Sequence, residues 1–530
     1  MFSLADLTGN DLVWLLDLNF AGQDLALARD FESYIDDDGA ATIYHPGLEW
    51  GGTLDDAIDL LGDAPSPRQV ALTLHLGDLL NVPKLVAEGH DLAAATGKLW
   101  VWARGTSERL LLVDGRITDP QYGARHEPVT LTLEEVPLED FARIPPALAR
   151  VDSTTWPSAA DDVEDEFYPM IFGRPGFEGD ARYGSPGLWV ANDKLLIAGH
   201  SGVNGGDVQV WNVTDASTAG ASGQLAVAHE TDGRGRRVMT VDIHTLSHTD
   251  ETDEYWIQWL AGEASGMADH DGSDLNGAGS LLRYMLEQSD VRWDRGRIAA
   301  IVDTLNLFQI DCAITASPGQ RFSPLAWVQQ HLLPILPISA RQGPEGLYYS
   351  LFRYDATAAQ AIASVNVDAL DAVRDSAISY SSTDQLANEF RLSYRPNAKD
   401  NKSSATHVLT GDDDTLATDD DAVSNAPCRV SRQRFGLRVM ELRTDVVYDA
   451  ATAGRICGWL SHAFALPARI FSYTATQRFA HLEPGDIVTL TDSEVSASQV
   501  VCLVDSVQWT AQDQIGLTLR SIDNPARDSY

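Results

Sequence analysis

The stretch Leu482-Glu483-Pro484-Gly485-Asp486-Ile487-Val488-Thr489-Leu490 reads as a tight turn feeding a strand. Proline presets one turn dihedral and glycine accepts the positive one, so Ile487, Val488 and Leu490 enter the strand at a fixed register. Upstream, Ala453, Cys457, Leu460 and Phe464 fall on one helical stripe that stops at Leu466-Pro467. Downstream, Val500 to Val504, Val507 to Trp509 and Ile515 to Leu519 read as further strands. The pattern predicts one helix packed beside a small barrel-like sheet, a layout that points to assembly rather than catalysis.

The rest of the chain sets the scale. With 530 residues, 44% of them apolar, it can bury several cores, and roughly two to four domains are expected. Thirty-eight basic residues against 77 acidic ones leave a formal charge of -39, which opposes adhesion to DNA phosphates and anionic lipid. Nucleic acid is therefore not expected as a gripped ligand. A uniformly negative wall would instead let DNA slide past. Lysine is confined to Lys84, Lys98, Lys194, Lys399 and Lys402, a composition that suits a saline host or serves plain solubility. The opening residues Met1 to Asp6 lack a basic region followed by an apolar run, so no secretory leader is expected. No stretch approaches the roughly 20 apolar residues that cross a bilayer. A soluble chain made in a cytoplasm, with no membrane insertion, is the expectation.

Cys312, Cys428, Cys457 and Cys502 form no Cys-x-x-Cys pair, so neither a zinc motif nor a disulfide framework is signalled. Cys312 alternates with Phe308, Ile310 and Ile314, Cys457 lies on the helical stripe, and Cys502 sits inside an apolar run. Core packing accounts for these three.

Residues 1–150 read as a first β-rich, barrel-like domain. Its strands are expected at Leu12 to Phe20, Asp24 to Phe31, Val70 to Leu76, Leu99 to Ala103, Arg109 to Ile117 and Val129 to Leu133, and Ile144-Pro145-Pro146 marks the exit. Residues 151–265 continue as β, with short strands such as Leu188 to Ala191, Leu195 to Ala198 and Val208 to Trp211. The run Tyr255 to Leu260 suits an interface strand or ordinary core. In 266–396 the period changes from two to about 3.6. Leu281, Leu282, Met285 and Leu286 mark one helix, and Ile298, Ile301, Val302 and Leu305 a second. Ser323-Pro324 caps a third, before the strand Leu347 to Phe352, giving an α+β module. Residues 397–426 carry Asp412 to Asp414 and Asp419 to Asp421 and are expected to form an exposed acidic loop or insertion. Residues 427–530 hold the helix and the terminal barrel-like domain. The fold class is mainly β with an α+β middle, multidomain, with two small barrel-like domains.

No constellation of reactive residues in the sequence supports a catalytic, cofactor or metal assignment. Gly199-His200-Ser201-Gly202-Val203 puts valine where a nucleophile elbow needs glycine, and Asn204-Gly205-Gly206 offers no helix, so His200 and Ser201 read as turn residues. His244 and His248 are four apart but lack the catalytic glutamate of a zinc helix. Glu164 with Glu166, and Glu251 with Glu254, are unremarkable in so acidic a chain. Neither Asp412 to Asp421 nor Asp269 to Gly277 has the ligand spacing of a calcium loop.

The order Thr155-Trp156-Pro157, Tyr168-Pro169 to Phe172-Gly173, Leu195 to His200, the paired helices Ser280 to Phe308, Trp327 to Pro337 with Glu345-Gly346-Leu347, and Leu482 to Leu490 resembles tailed-bacteriophage tail-tip and baseplate hub proteins. It is similar to the hub region of siphophage and gene-transfer-agent tail tips, over roughly residues 90 to 530. The resemblance implies a homotrimer in the virion in which two β-barrel domains per chain alternate around a pseudo-sixfold ring. Such a ring joins a sixfold tail tube or distal tail protein to a threefold tip, central fibre or receptor-binding protein, near the tape measure protein, and lines the DNA exit path. It implies assembly in the host cytoplasm, no enzyme activity, and fibre-like extensions on another chain. The competing class is an acidic β-rich hydrolase or glycan-binding protein.

Overall fold

A hairpin opens the chain: Leu12–Phe20 pairs with Gln23–Ala28 across Ala21 (φ 53°) and Gly22 (φ 74°), the two left-handed residues that a two-residue hairpin turn demands. This computed structural model describes residues 11–522, except 51–52, 59–66, 78, 125, 178–181, 204–205, 215–221, 248, 270–271, 318, 377, 420 and 511–513. It is mainly β, with 42% strand and 18% helix in several sheets. No described helix is long and apolar enough to cross a membrane.

The first sheet continues from Leu12–Phe20 through Thr96–Ala103, Arg109–Gln121, Val129–Glu135 and Gln69–Leu74. A single stretch of chain supplies both of its ends. Ala41–Pro46 runs parallel to Gln23–Ala28, and Leu48–Trp50 pairs with Gln69–Leu74. Between them Gly47 donates to Ala28 O (3.0 Å) and accepts from His75 N (2.8 Å). The sheet thus bends round on itself into a barrel-like lobe. A Cβ at Gly47 would stand 3.0 Å from the His75 carbonyl oxygen, which is why the seam takes glycine. Glu32–Ile35 lies outside the ring as the outermost strand, antiparallel to Ala41–Pro46.

A closed barrel follows, in the order Ser185–Ala191, Lys194–Ala198, Arg237–Asp242, Gly223–Thr231, Asp207–Asn212 and Tyr255–Trp259. Tyr255, Ile257 and Trp259 point into it, and the Trp259 indole donates to Ser185 Oγ (3.0 Å), so the aromatic run is core.

The α+β middle packs Ala278–Gln288, Arg295–Leu305 and Pro324–His331 against the hairpin Ile338–Gly343 and Gly346–Leu351. Asp294 and Ser323 cap the second and third helices through Arg297 N and Ala326 N.

At the C-terminal end the sheet order is Ala363–Asn366, Ile487–Asp492, Ala497–Trp509, Ile515–Ser521, Arg469–Ala475 and Ala372–Arg374. Its outermost strands are consecutive in sequence, joined by Val367 to Asp371, a link that reaches at most about 20 Å. Six flat strands would separate them by about 24 Å, so the sheet must curl, and it forms a half-barrel.

Three expectations are corrected. Residues 397–426 are not one exposed loop: Lys402–Thr410 is a strand whose Val408 and Leu409 are buried, Asp413–Thr418 is a short helix, and Ala422–Ser424 a strand. The acidic run misleads because Asp412 is an N-cap, accepting from Asp414 N, with Asp413 and Asp414 in the first turn, where helix dipoles favour carboxylates. These strands join Glu389–Asn397 and Val439–Arg443 in a four-stranded sheet with two parallel pairs; Asp413–Thr418 connects one of them, and the helix Ala426–Phe435 carries the chain from one sheet edge to the other. Second, Ala450–Phe464 packs on Glu389–Asn397 and Lys402–Thr410, its Cys457 and Leu460 sharing a core with Phe390, Leu392 and Leu409. It serves the middle module more than the terminal barrel. Third, Val500 to Val504 and Val507 to Trp509 are one strand, Ala497–Trp509, with an irregularity between Val504 and Ser506 that mimics a break.

Candidate functional site at the junction of the terminal lobes

The first and last lobes are fused. Leu54–Ala57 leaves the N-terminal lobe and adds antiparallel to Ala497–Trp509, in register from Leu54 with Trp509 to Ala57 with Ser506. One apolar core runs through both lobes, from Leu16, Leu74 and Leu133 to Tyr473, Val504 and Leu517. Trp14 meets Trp509 edge to face, with centroids 5.4 Å apart and planes at 81°, a geometry that matches positive ring edge to negative ring face. Leu12 N donates to Gln477 Oε1 (3.2 Å) at the rim.

Charged groups lock the middle module into this junction. Asp56, on the crossing strand, pairs with Arg68 (2.8 Å) and with Arg341 of the middle hairpin. Arg68 also donates to Leu112 O (3.2 Å) and Tyr348 Oη (3.2 Å), and its backbone N–H to Glu135 Oε2 (3.1 Å). Burial raises the Glu135 pKa, and the Arg68 charge partly offsets it. Arg297 lies 4.3 Å over the Tyr348 ring and grips both Glu483 oxygens. Burial works against the Arg297 charge, but the Glu483 carboxylate outweighs it and the guanidinium pKa rises.

The Pro484-Gly485 turn is therefore a contact point as well as a strand entry. Gly485 (φ 102°) donates to Val504 O (2.9 Å), and a Cβ there would meet Ser350 Cβ at 3.1 Å. Ser350 Oγ donates to Pro484 O (3.1 Å), and Asp486 accepts from Glu483 N (2.8 Å) while burial pushes its carboxyl up to about 6.

Asp311 forms a second joint. It is fully buried, accepts from Arg174 N (2.7 Å) and Gln309 Nε2 (3.0 Å), and donates its own N–H to Val446 O (2.9 Å). Burial pushes its carboxyl up to about 7. Its side chain and its backbone N–H together tie the segments of Arg174 and Val446 to its own strand.

The residues singled out from sequence fall elsewhere and do not converge. Ile171 N–H donates to His200 Nε2 (2.9 Å), which leaves Nδ1 as the protonated nitrogen, 3.2 Å from Ser201 O. Burial pushes this imidazole down to about 4, so it is a neutral acceptor for the chain beside the closed barrel. His244 is exposed against Asp242, and His248 lies outside the described residues. Glu164, Glu251 and Glu254 are exposed, and Glu254 pairs with Lys399 (3.3 Å). Glu166 is half-buried, with its pKa raised by desolvation. Asp269 and Asp274 pair with Arg283 (2.7 Å) and Arg174 (3.0 Å). Asp412 pairs with Arg432 (2.9 Å) and Asp413 with Arg429 (3.4 Å). The cysteines are buried in two different cores, Cys312, Cys428 and Cys457 in the middle one and Cys502 in the terminal one.

Residues 352–503 match the family model described as "Putative phage tail protein". Over this segment the chain is similar to phage tail proteins. The matched segment takes in the four-stranded sheet, the helix Ala450–Phe464 and much of the terminal half-barrel, including the Pro484-Gly485 turn. No curated protein matches the chain. Among solved structures, it is similar to a tail protein from Neisseria meningitidis at 9% identity and TM-score 0.39, covering 98% of this chain and 99% of that one. A 43 kDa tail protein of prophage MuSo2 from Shewanella oneidensis gives 9% identity and TM-score 0.36, covering 97% and 99%. A chain of a gene transfer agent virion gives 14% and 0.21, covering 50% and 85%. At these TM-scores the structural likenesses carry no argument.

Proposed function

We propose that this chain is a phage tail hub protein: three copies close into a ring at the tail tip. The observation that carries the reading is the fusion of two barrel-like lobes, from opposite ends of the sequence, through a shared core and a crossing strand. Two lobes per chain and three chains place six similar bodies around an axis. A sixfold tail tube or distal tail protein would stack on one side, and a threefold tip, central fibre or receptor-binding protein on the other, with the tape measure protein ending nearby. The ring would form in the host cytoplasm, and its charge of -39 per chain suits a wall past which DNA moves. The ring domains are 1–150 and the terminal half-barrel of 427–530, to which Ala363–Asn366 and Ala372–Arg374 are added, with 151–265 and the rest of 266–396 as the outer and bracing modules. No side chain is assigned a catalytic role; rigid positioning does the task.

Light scattering on the purified chain, together with electron microscopy of particles carrying an antibody label, tests this. Three chain masses and label at the tail end are expected. A stable dimer or tetramer, or label along the shaft, would overturn the hub assignment. Ser201→Ala with undiminished infectivity is expected as well.

A further inference from the structure

Resting on the ring reading, we infer which surfaces join one copy to the next: the outermost strand Glu32–Ile35 of one copy adds antiparallel to the outermost strand Val439–Arg443 of its neighbour. A ring needs a heterologous contact, made of two different and complementary patches on the same chain. The two strands supply them.

Glu32–Ile35 ends its sheet, and Val439–Arg443 ends the four-stranded sheet. Each is short, four and five residues, and each carries apolar groups in the open: Phe31 is 61% exposed, Ile35 54%, Leu437 53% and Val439 43%. Exposed edges invite strand addition, and apolar outward faces on both would be covered by it.

Charge selects a second copy of this chain as the occupant. Within nine positions the first patch presents Asp30, Asp37 and Asp38 exposed and Asp36 half-buried, while Glu32 is buried against Arg104. Beside the second, Arg434, Arg438 and Arg443 fall within 10 positions, in a chain averaging one basic residue in about 14, whereas the nearby Arg429 and Arg432 are held by Asp413, Asp412 and Glu389. Arg434 and Arg443 are exposed, as are Asp37 and Asp38.

One antiparallel register brings the outward-facing groups of the two strands together. Setting Ile35 opposite Val439 puts Ser33 opposite Glu441, Phe31 opposite Arg443 and Asp36 opposite Arg438. Apolar meets apolar, a guanidinium meets an aromatic face, and the Asp37-Asp38 tip comes alongside Arg434. Glu441, the one carboxylate on the basic strand, faces a serine. Shifting the register by one would set Ile35 against Arg438 or Met440 and turn Val439 to the opposite face.

Ile35→Cys with Val439→Cys tests the contact directly, because the four native cysteines are buried. Under mild oxidation the double variant is expected to give disulfide-linked dimers and trimers, and neither single variant any ladder. Asp37→Lys with Asp38→Lys, and separately Arg434→Glu, should each weaken association about tenfold or more, and their combination should restore it. Unlinked chains while the wild type still forms trimers would overturn this interface and leave the hub standing. A wild type that stays monomeric at every concentration, with no ladder, would overturn both.

Discussion

Replacing Asp311 with asparagine should make the protein more stable, and the gain should grow with pH. The carboxyl is fully buried and its pKa is pushed up to about 7, so the fold prefers it neutral, whereas the unfolded chain ionises it near 3.8. The stability contributed by the protonated acid is complete below the unfolded value and is lost as pH rises towards 7. About three units correspond to ~4 kcal/mol in all, of which about 3 kcal/mol is lost between pH 5 and pH 8. Asparagine keeps an oxygen for Arg174 N–H, and the Gln309 amide can turn to accept from the new NH2. His200, whose depressed pKa works in the opposite sense below 6.5, is common to both proteins and cancels in the comparison. A chain of several domains does not unfold in one step, so the readout is amide exchange of the segments around Arg174 and Asp311, corrected for intrinsic rates at each pH. Protection in Asp311→Asn relative to wild type should improve about a hundredfold more at pH 8 than at pH 5. A ratio that does not change with pH, or a variant less protected at pH 8, would refute the reasoning.

Trp14→Ala and Trp509→Ala should each cost about 3–5 kcal/mol in chemical denaturation of the terminal lobes, and the double variant about 1 kcal/mol less than their sum, because the ring pair is lost only once. Gly485→Ala should destabilise by more than about 1 kcal/mol, read by thermal melting, since its φ of 102° suits glycine and Ser350 crowds the new methyl. Glu483→Gln, removing a half-exposed partner of Arg297, should cost only about 1 kcal/mol, with an effect that shrinks in high salt. His200→Leu leaves the Ile171 N–H without its acceptor and should cost about 1–3 kcal/mol, whereas His200→Gln, which retains an acceptor, should be milder.

Much of the architecture could be read locally. The alternation in Gln69–Leu74, the proline and glycine at the 484–485 turn and the Ser323-Pro324 cap each act within a few residues, and each produced the expected element. What escaped is what depends on distant partners. Leu54–Ala57 has one apolar residue at each end and two aspartates between, so nothing in its period announces a strand; it is one because Ala497–Trp509 offers an edge. The aspartates at 412–414 looked like solvated charge because composition does not say which carboxylate will cap a helix. The Arg68, Asp56, Arg341 and Tyr348 cluster draws on positions nearly 300 apart, and only the fused lobes bring them together.

The crossing strand has a consequence for biosynthesis. Ala57 waits for Ser506, about 450 positions later, which at roughly 5–20 residues per second means some 20 to 90 seconds on the ribosome. During that interval the leading lobe must hold its greasy side open or shield it with a chaperone. Release of the nascent tail, not its start, is then the moment at which a subunit becomes competent to join a particle.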